Sequence, residues 1–131
     1  MKKISIQQVV DIVFDDLQAQ SKDLGLRIYK RRLPKGVREG CVVMATDITF
    51  EDNQLAMVYA LATIPDVKSG GSYEENPKTS VVAAWFADHY ARRFPHGESW
   101  SLEMQGQSVE DGEDGQSHVV SNRFLFTINT D

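Results

Sequence analysis

The side chains in this 131-residue chain that could do chemistry are three histidines, one cysteine and two charged clusters. A zinc site needs three or four convergent ligands. His89, His96 and His118 show no ligand spacing between any two of them, so no metal is expected. Cys41 sits in an apolar stretch without a neighbouring histidine, which describes a buried thiol rather than a nucleophile. The signatures G-x-S-x-G, P-loop, G-x-G-x-x-G and H-E-x-x-H do not occur. Ser69, Gly70, Gly71 and Ser72 are glycine-rich, but they follow Pro65 and lack a lysine placed for phosphate. A catalytic pair would have to come from scattered residues such as Asp88, His89 and Glu103. Adjacent helical positions such as Asp88 and His89 point apart. No catalytic residue, cofactor or metal is therefore expected.

The first charged cluster is basic. Lys22, Arg27, Lys30, Arg31, Arg32, Lys35 and Arg38 are half of the 14 Lys and Arg residues. Arg31, Arg32, Lys35 and Arg38 read as an arm facing nucleic acid or an acidic partner. The cluster reads more simply as a solvated strand and hairpin whose charges also discourage edge-to-edge pairing. The second cluster alternates Glu110, Asp111, Glu113 and Asp114 with Gly112 and Gly115. No register of it supplies the calcium pattern D-x-[DN]-x-[DN]-G-x₅-E, so it reads as an acidic loop. A basic face and an acidic face on one domain would meet between copies in a head-to-tail ring, closed if the rotation suits.

The elements that must position these residues follow from periodicity. Ser5 and Gln8 have capping-box spacing, and Ile6, Val9, Val10, Val13, Phe14 and Leu17 form one apolar stripe. A helix over Ile6–Gln20 is expected, with Gly25 just past it. Strands are expected over residues 26–31, 41–48, 55–64, 99–105 and 118–128, from β-formers and alternation. Residues 33–36 read as a turn. The strand over 55–64 ends near Pro65, which cannot donate to a ladder. Residues 65–75, with Gly70 and Gly71, read as a mobile loop that carries Val67, Lys68 and Tyr73 as candidate contacts. Asn76 and Pro77 suit the start of a second helix bearing Trp85, Phe86 and Tyr90. Its wide apolar arc describes a helix that is either deeply buried or touches two surfaces, its own sheet and a partner chain. The polar residues 108–117 read as a loop.

The order is helix, three strands, helix, two strands. It predicts one α+β domain over residues 1–131, with a mostly antiparallel five-stranded sheet and both helices on one face.

Composition fits such a domain, with 41% hydrophobic and 25% charged residues. The net charge of −5 disfavours whole-surface binding to nucleic acid or an anionic membrane. A single cysteine points to a reducing compartment. Met1, Lys2 and Lys3 begin like a signal peptide, but Gln7, Gln8, Asp11, Asp15 and Asp16 interrupt any apolar core. No apolar run approaches the roughly 20 residues of a membrane helix.

The layout resembles the tail-terminator, or tail-completion, proteins of long-tailed phages and their prophage relatives. The matching features are the amphipathic first helix, the basic segment 31–38 and the Val42-Val43 strand. The long strand closing with Ile64-Pro65-Asp66, the aromatic helix and the final Arg123-Phe124-Leu125-Phe126 strand also match. Ala60 and Ala62 stand where that family often has β-branched residues. The resemblance implies a non-enzymatic virion protein forming a ring, commonly a hexamer, that caps the tail tube and joins it to the head. Its implied partners are copies of itself, tail-tube protein and head–tail connector proteins, with DNA passing through the lumen. Its implied location is the cytoplasm of a bacterial host, then the virion tail. Arg31, Arg32, Lys35 and Arg38 would face lumen or tube. The 65–75 loop and the outward side of the aromatic helix would meet another copy. The alternative is a small bacterial module binding a ligand or peptide in a groove between sheet and helix.

Overall fold

The computed structural model describes residues 3–129. Its first element is helix α1 (Ile6–Gln20). The Ser5 hydroxyl accepts the Gln8 amide while the Gln8 side chain accepts the Ser5 amide, so two free donors at the helix start are satisfied reciprocally. A short 3₁₀ turn over Ser21–Asp23 follows.

Strands β1 (Ile28–Lys30), β2 (Gly40–Ile48) and β3 (Asn53–Pro65) come next. A small hairpin, β4 (Val67–Ser69) and β5 (Ser72–Glu74), leads into helix α2 (Lys78–Tyr90). The two-residue β6 (Arg92–Arg93), then β7 (Trp100–Asp111) and β8 (Ser117–Asn129), complete the chain.

The fold is α+β, and its main sheet has six strands in the order β1-β2-β3-β8-β7-β6. The sequence leads to five strands; the sixth, β6, has only two residues and no pattern to show. Every main-sheet pairing is antiparallel except β1 with β2, which is parallel. The hairpin read as one alternative for the basic segment is not formed, whereas β2 and β3 pair antiparallel across their short turn. Segment 31–39 does not turn back as a tight hairpin. It carries the chain to the start of β2, so β2 runs alongside β1 in the same direction.

Residues 65–75 are likewise not an unstructured loop. Gly70 and Gly71 both have positive φ, 57° and 87°, as a type I′ turn requires. They close the separate β4–β5 hairpin with Val67 opposite Glu74 and Lys68 opposite Tyr73. Nor is 108–117 all loop, because β7 continues through Asp111 and only the tight turn to Ser117 remains.

One face of the sheet is covered. Val43, Val58, Ala60, Ala62, Leu102, Val120, Phe124 and Phe126 form one buried cluster with Val9, Val13 and Leu17 of α1 and Val82, Phe86 and Tyr90 of α2. Polar ties fasten the helices there. Asp16 of α1 accepts from the Tyr90 hydroxyl at 2.6 Å and from two Arg93 nitrogens at 3.0 and 2.7 Å. Trp85 donates its indole N–H to Asp23. Trp85, Phe86 and Tyr90 are all buried. The expected outward aromatic surface of α2 is therefore corrected: the large apolar residue on its exposed side is Val81.

Candidate interaction surface

Among the described residues, no helix lies over the opposite face of the sheet. Met57, Tyr59, Leu61 and Thr63 of β3, and Val119, Leu125 and Thr127 of β8, alternate with the buried positions and stay partly exposed. Leu55 is 40% exposed. Strand alternation explains the difference, because successive side chains of a strand point to opposite faces. The outer edge of the sheet is open as well. β6 pairs only with Leu102 and Glu103, so among the described residues β7 has no strand neighbour on that side from Gln105 to Asp111.

A groove of about 410 Å³ opens at one end of this uncovered face. Its floor is Val42, Met44, Leu61, Thr63 and Val119. One wall is the segment carrying Arg31, Arg32, Leu33, Val37 and Arg38; the other is the turn with Gly112, Glu113 and Asp114. Arg31 adopts φ 71°, which is uncommon for a residue with a side chain. Its amide still donates to Val43 O at 2.8 Å. This left-handed residue turns the chain out of β1 and across the open face, and it leaves Arg31 and Arg32 exposed at the rim. Gly112 is needed for the other wall, because a Cβ there would stand 1.8 Å from Ser117 Oγ.

The two charged clusters read from the sequence thus meet within one chain. Arg38 lies 3.6 Å from Asp114. Asp114 also accepts from the Gln116 amide and the Ser117 hydroxyl, and the Gln116 bond foremost holds its carboxyl below the usual range. The expectation of two separate faces, one basic and one acidic, is corrected: both signs flank the same groove. Lys35 is exposed and does not line it. Glu110 and Asp111 belong to strand β7 rather than to the turn.

His118 is a second focus, which the sequence marks only as a strand-initial histidine. Its Nδ1 is 2.6 Å from Asp66 Oδ1. Its Nε2 is 3.3 Å from Asp111 and 3.7 Å from Glu75. The hydrogen bond to Asp66, then the fields of Asp66, Glu75 and Asp111, raise its pKa above 6.5 against a smaller opposing effect of desolvation. Asp66 and Glu75 flank the β4–β5 hairpin, so His118 fastens the base of that hairpin to the sheet. Val67, Lys68 and Tyr73 are exposed on it.

The remaining candidates sit apart from both. Cys41 is fully buried, and burial pushes its thiol up to about 12. His89 stacks on Trp85 at 4.5 Å, its Nδ1 lying 2.9 Å from Trp85 O. His96 is exposed near Pro95. Among the described residues no group of three or more His, Cys, Asp or Glu is arranged to hold a metal ion. Nor, among them, is any helix long and apolar enough to cross a membrane. What fold and surface define is an α+β domain with a one-sided core. Comparison with models of known protein families finds no match, and comparison with curated proteins finds none that is significant.

Proposed function

We propose that this chain is a structural assembly protein that joins copies of itself through the uncovered face and end of its sheet. The observation carrying this reading is that face. Met57, Tyr59, Leu61, Val119 and Leu125 form a mixed apolar surface on central strands of the sheet, away from both helices. Ser121 and Arg123 stand between Val119 and Leu125 on the same face of β8, and apolar surface rimmed by polar residues marks interaction sites. The free outer edge of β7 offers backbone groups beside it.

The resemblance to phage tail terminators gives the assembly its shape. Copies related by a heterologous interface close into a ring. The ring would cap the tail tube and join it to head connector proteins, with DNA passing through its lumen. Assembly would take place in the cytoplasm of a bacterial host and end in the virion tail. No chemical step is assigned to the chain.

The test is electron microscopy of the purified protein alone and mixed with polymerised tail-tube protein. Closed rings, and rings seated at one end of the tubes, are the expected images. Isolated small particles that leave tube ends bare would refute the reading.

The groove favours a second reading, a small ligand- or peptide-binding module. Its volume of about 410 Å³ falls within the range of small-molecule sites. Saturable binding of a small molecule by a chain that never assembles would select it.

A further inference from the structure

The groove has walls of opposite charge, and the same chain carries a projection with faces of opposite charge. Glu113 lies on one wall, next to Asp114, which already meets Arg38 of the other wall at 3.6 Å. Arg31 and Arg32 lie on the other, without an ion-pair partner among the described residues. Directly paired residues of a hairpin share a face. In the β4–β5 hairpin, Val67 and Glu74 therefore share one face, and Lys68 and Tyr73 share the other. Each face joins one apolar or aromatic side chain to one charge, and the charges are opposite. The tip is Gly70-Gly71, which has no side chains and is narrow. The floor between the walls is apolar, from Val42, Met44 and Leu61.

We infer that the groove of one copy receives the β4–β5 hairpin of the neighbouring copy, an inference that rests on the assembly reading above. Glu74 and Val67 face Arg31 and Arg32, while Lys68 and Tyr73 face the Glu113 wall. The hairpin does not line the groove of its own chain. Its base is held by His118, whose side chain lies on the helix-covered side with Val120 and Phe124, whereas the groove opens on the other side. The hairpin is thus placed to reach outward to a second copy. Opposite charges on both walls also fix the direction of insertion, since a reversed hairpin would set Lys68 against the two arginines and Glu74 against Glu113. A directional contact of this kind is heterologous, as a ring needs.

The test is a charge exchange in the full-length chain, followed by light scattering at low salt, with thermal melts to verify folding. Arg32→Glu alone and Glu74→Arg alone are each expected to weaken self-association by at least about tenfold. An equimolar mixture of the two variants is expected to recover it. When the two variants alternate, every contact again sets one arginine against one glutamate, with the two signs exchanged at every second contact. Tyr73→Cys protein mixed with Val119→Cys protein, whose floor residue lies on the strand next to the Glu113 wall, is expected to form a disulfide-linked heterodimer. Wild-type assembly that neither charge variant disturbs would overturn the hairpin contact and leave the assembly reading standing. So would weakening that the mixture fails to restore. Octanoate filling the groove without disturbing assembly would reassign the groove to small apolar carboxylates. A wild-type chain that stays monomeric would overturn both readings.

Discussion

The two faces of the sheet are built from the same strands but meet different surroundings. On the covered face, Val58, Ala60, Phe124 and Phe126 are at most 1% exposed, and the positions between them on the other face are partly open. The covered face is also tied by polar contacts. Asn122 is fully buried, donates to Ala60 O and accepts from Gln107, and Gln107 in turn donates to Ala83 of α2. The open face carries apolar side chains and the rim arginines without such closure. Ala60 and Ala62 show the same division: small residues on the covered side let the helices approach, and the larger Tyr59 and Leu61 project from the other side. The difference teaches that stability of the single chain and association between chains are assigned to opposite sides of one sheet.

Substitutions on the two faces can break that division. The largest effect is expected from Phe124→Ala, which opens a cavity under Tyr90 and costs about 4 kcal/mol of stability in denaturant unfolding. A cost under about 1 kcal/mol would mean that the covered face is loosely packed. Leu125→Ser, one position along the same strand but on the open side, is expected to cost about 1 kcal/mol or less at concentrations where the chain is monomeric. The same variant should weaken self-association measured by light scattering. If it destabilised the monomer as much as Phe124→Ala, the two faces would not differ in kind.

A smaller effect concerns the hairpin. His118 has a folded-state pKa above its ordinary 6.5, so its pairing with Asp66, Glu75 and Asp111 is fully present below about pH 6.5 and weakens as pH rises through the raised value. Amide exchange in β4 and β5 should therefore speed up across that rise beyond the general base-catalysed trend, while exchange at Phe124 follows the trend alone. In His118→Gln the extra step in the hairpin should vanish. A step that persisted in that variant would place the latch elsewhere.

Much of the covered side was legible in the sequence. The Ser5–Gln8 capping box and the stripe from Ile6 to Leu17 mark α1 by local rules, the nearly uncharged run 55–64 marks β3, strict alternation of Trp100, Leu102 and Met104 marks β7, and Phe124, Phe126 and Ile128 on one face mark β8. What could not be read depends on contacts distant in the chain. The parallel direction of the three-residue β1 is set by its partner β2. The two residues of β6 are a strand only because β7 lies beside them. The Gly70-Gly71 turn did carry a hairpin signal, but the polar residues around it favour a loop reading. The groove joins segment 31–38 to the turn at 112–114, and only the adjacency of β2, β3 and β8 brings them together. The charged residues were visible as two clusters; that they flank one groove was not. His118 gave no local signal, because its carboxylates come from the end of β3, the end of β5 and the end of β7.

The most direct test of the division between faces is sedimentation velocity over a wide concentration series, comparing wild type with Leu61→Glu on the open face. The wild-type chain is expected to shift from monomer to one defined closed assembly. The variant is expected to remain monomeric while keeping the same thermal melting curve as dilute wild type. A wild-type chain that sediments as a monomer at every concentration, or a variant that assembles as wild type does, would contradict the assignment of the open face to assembly.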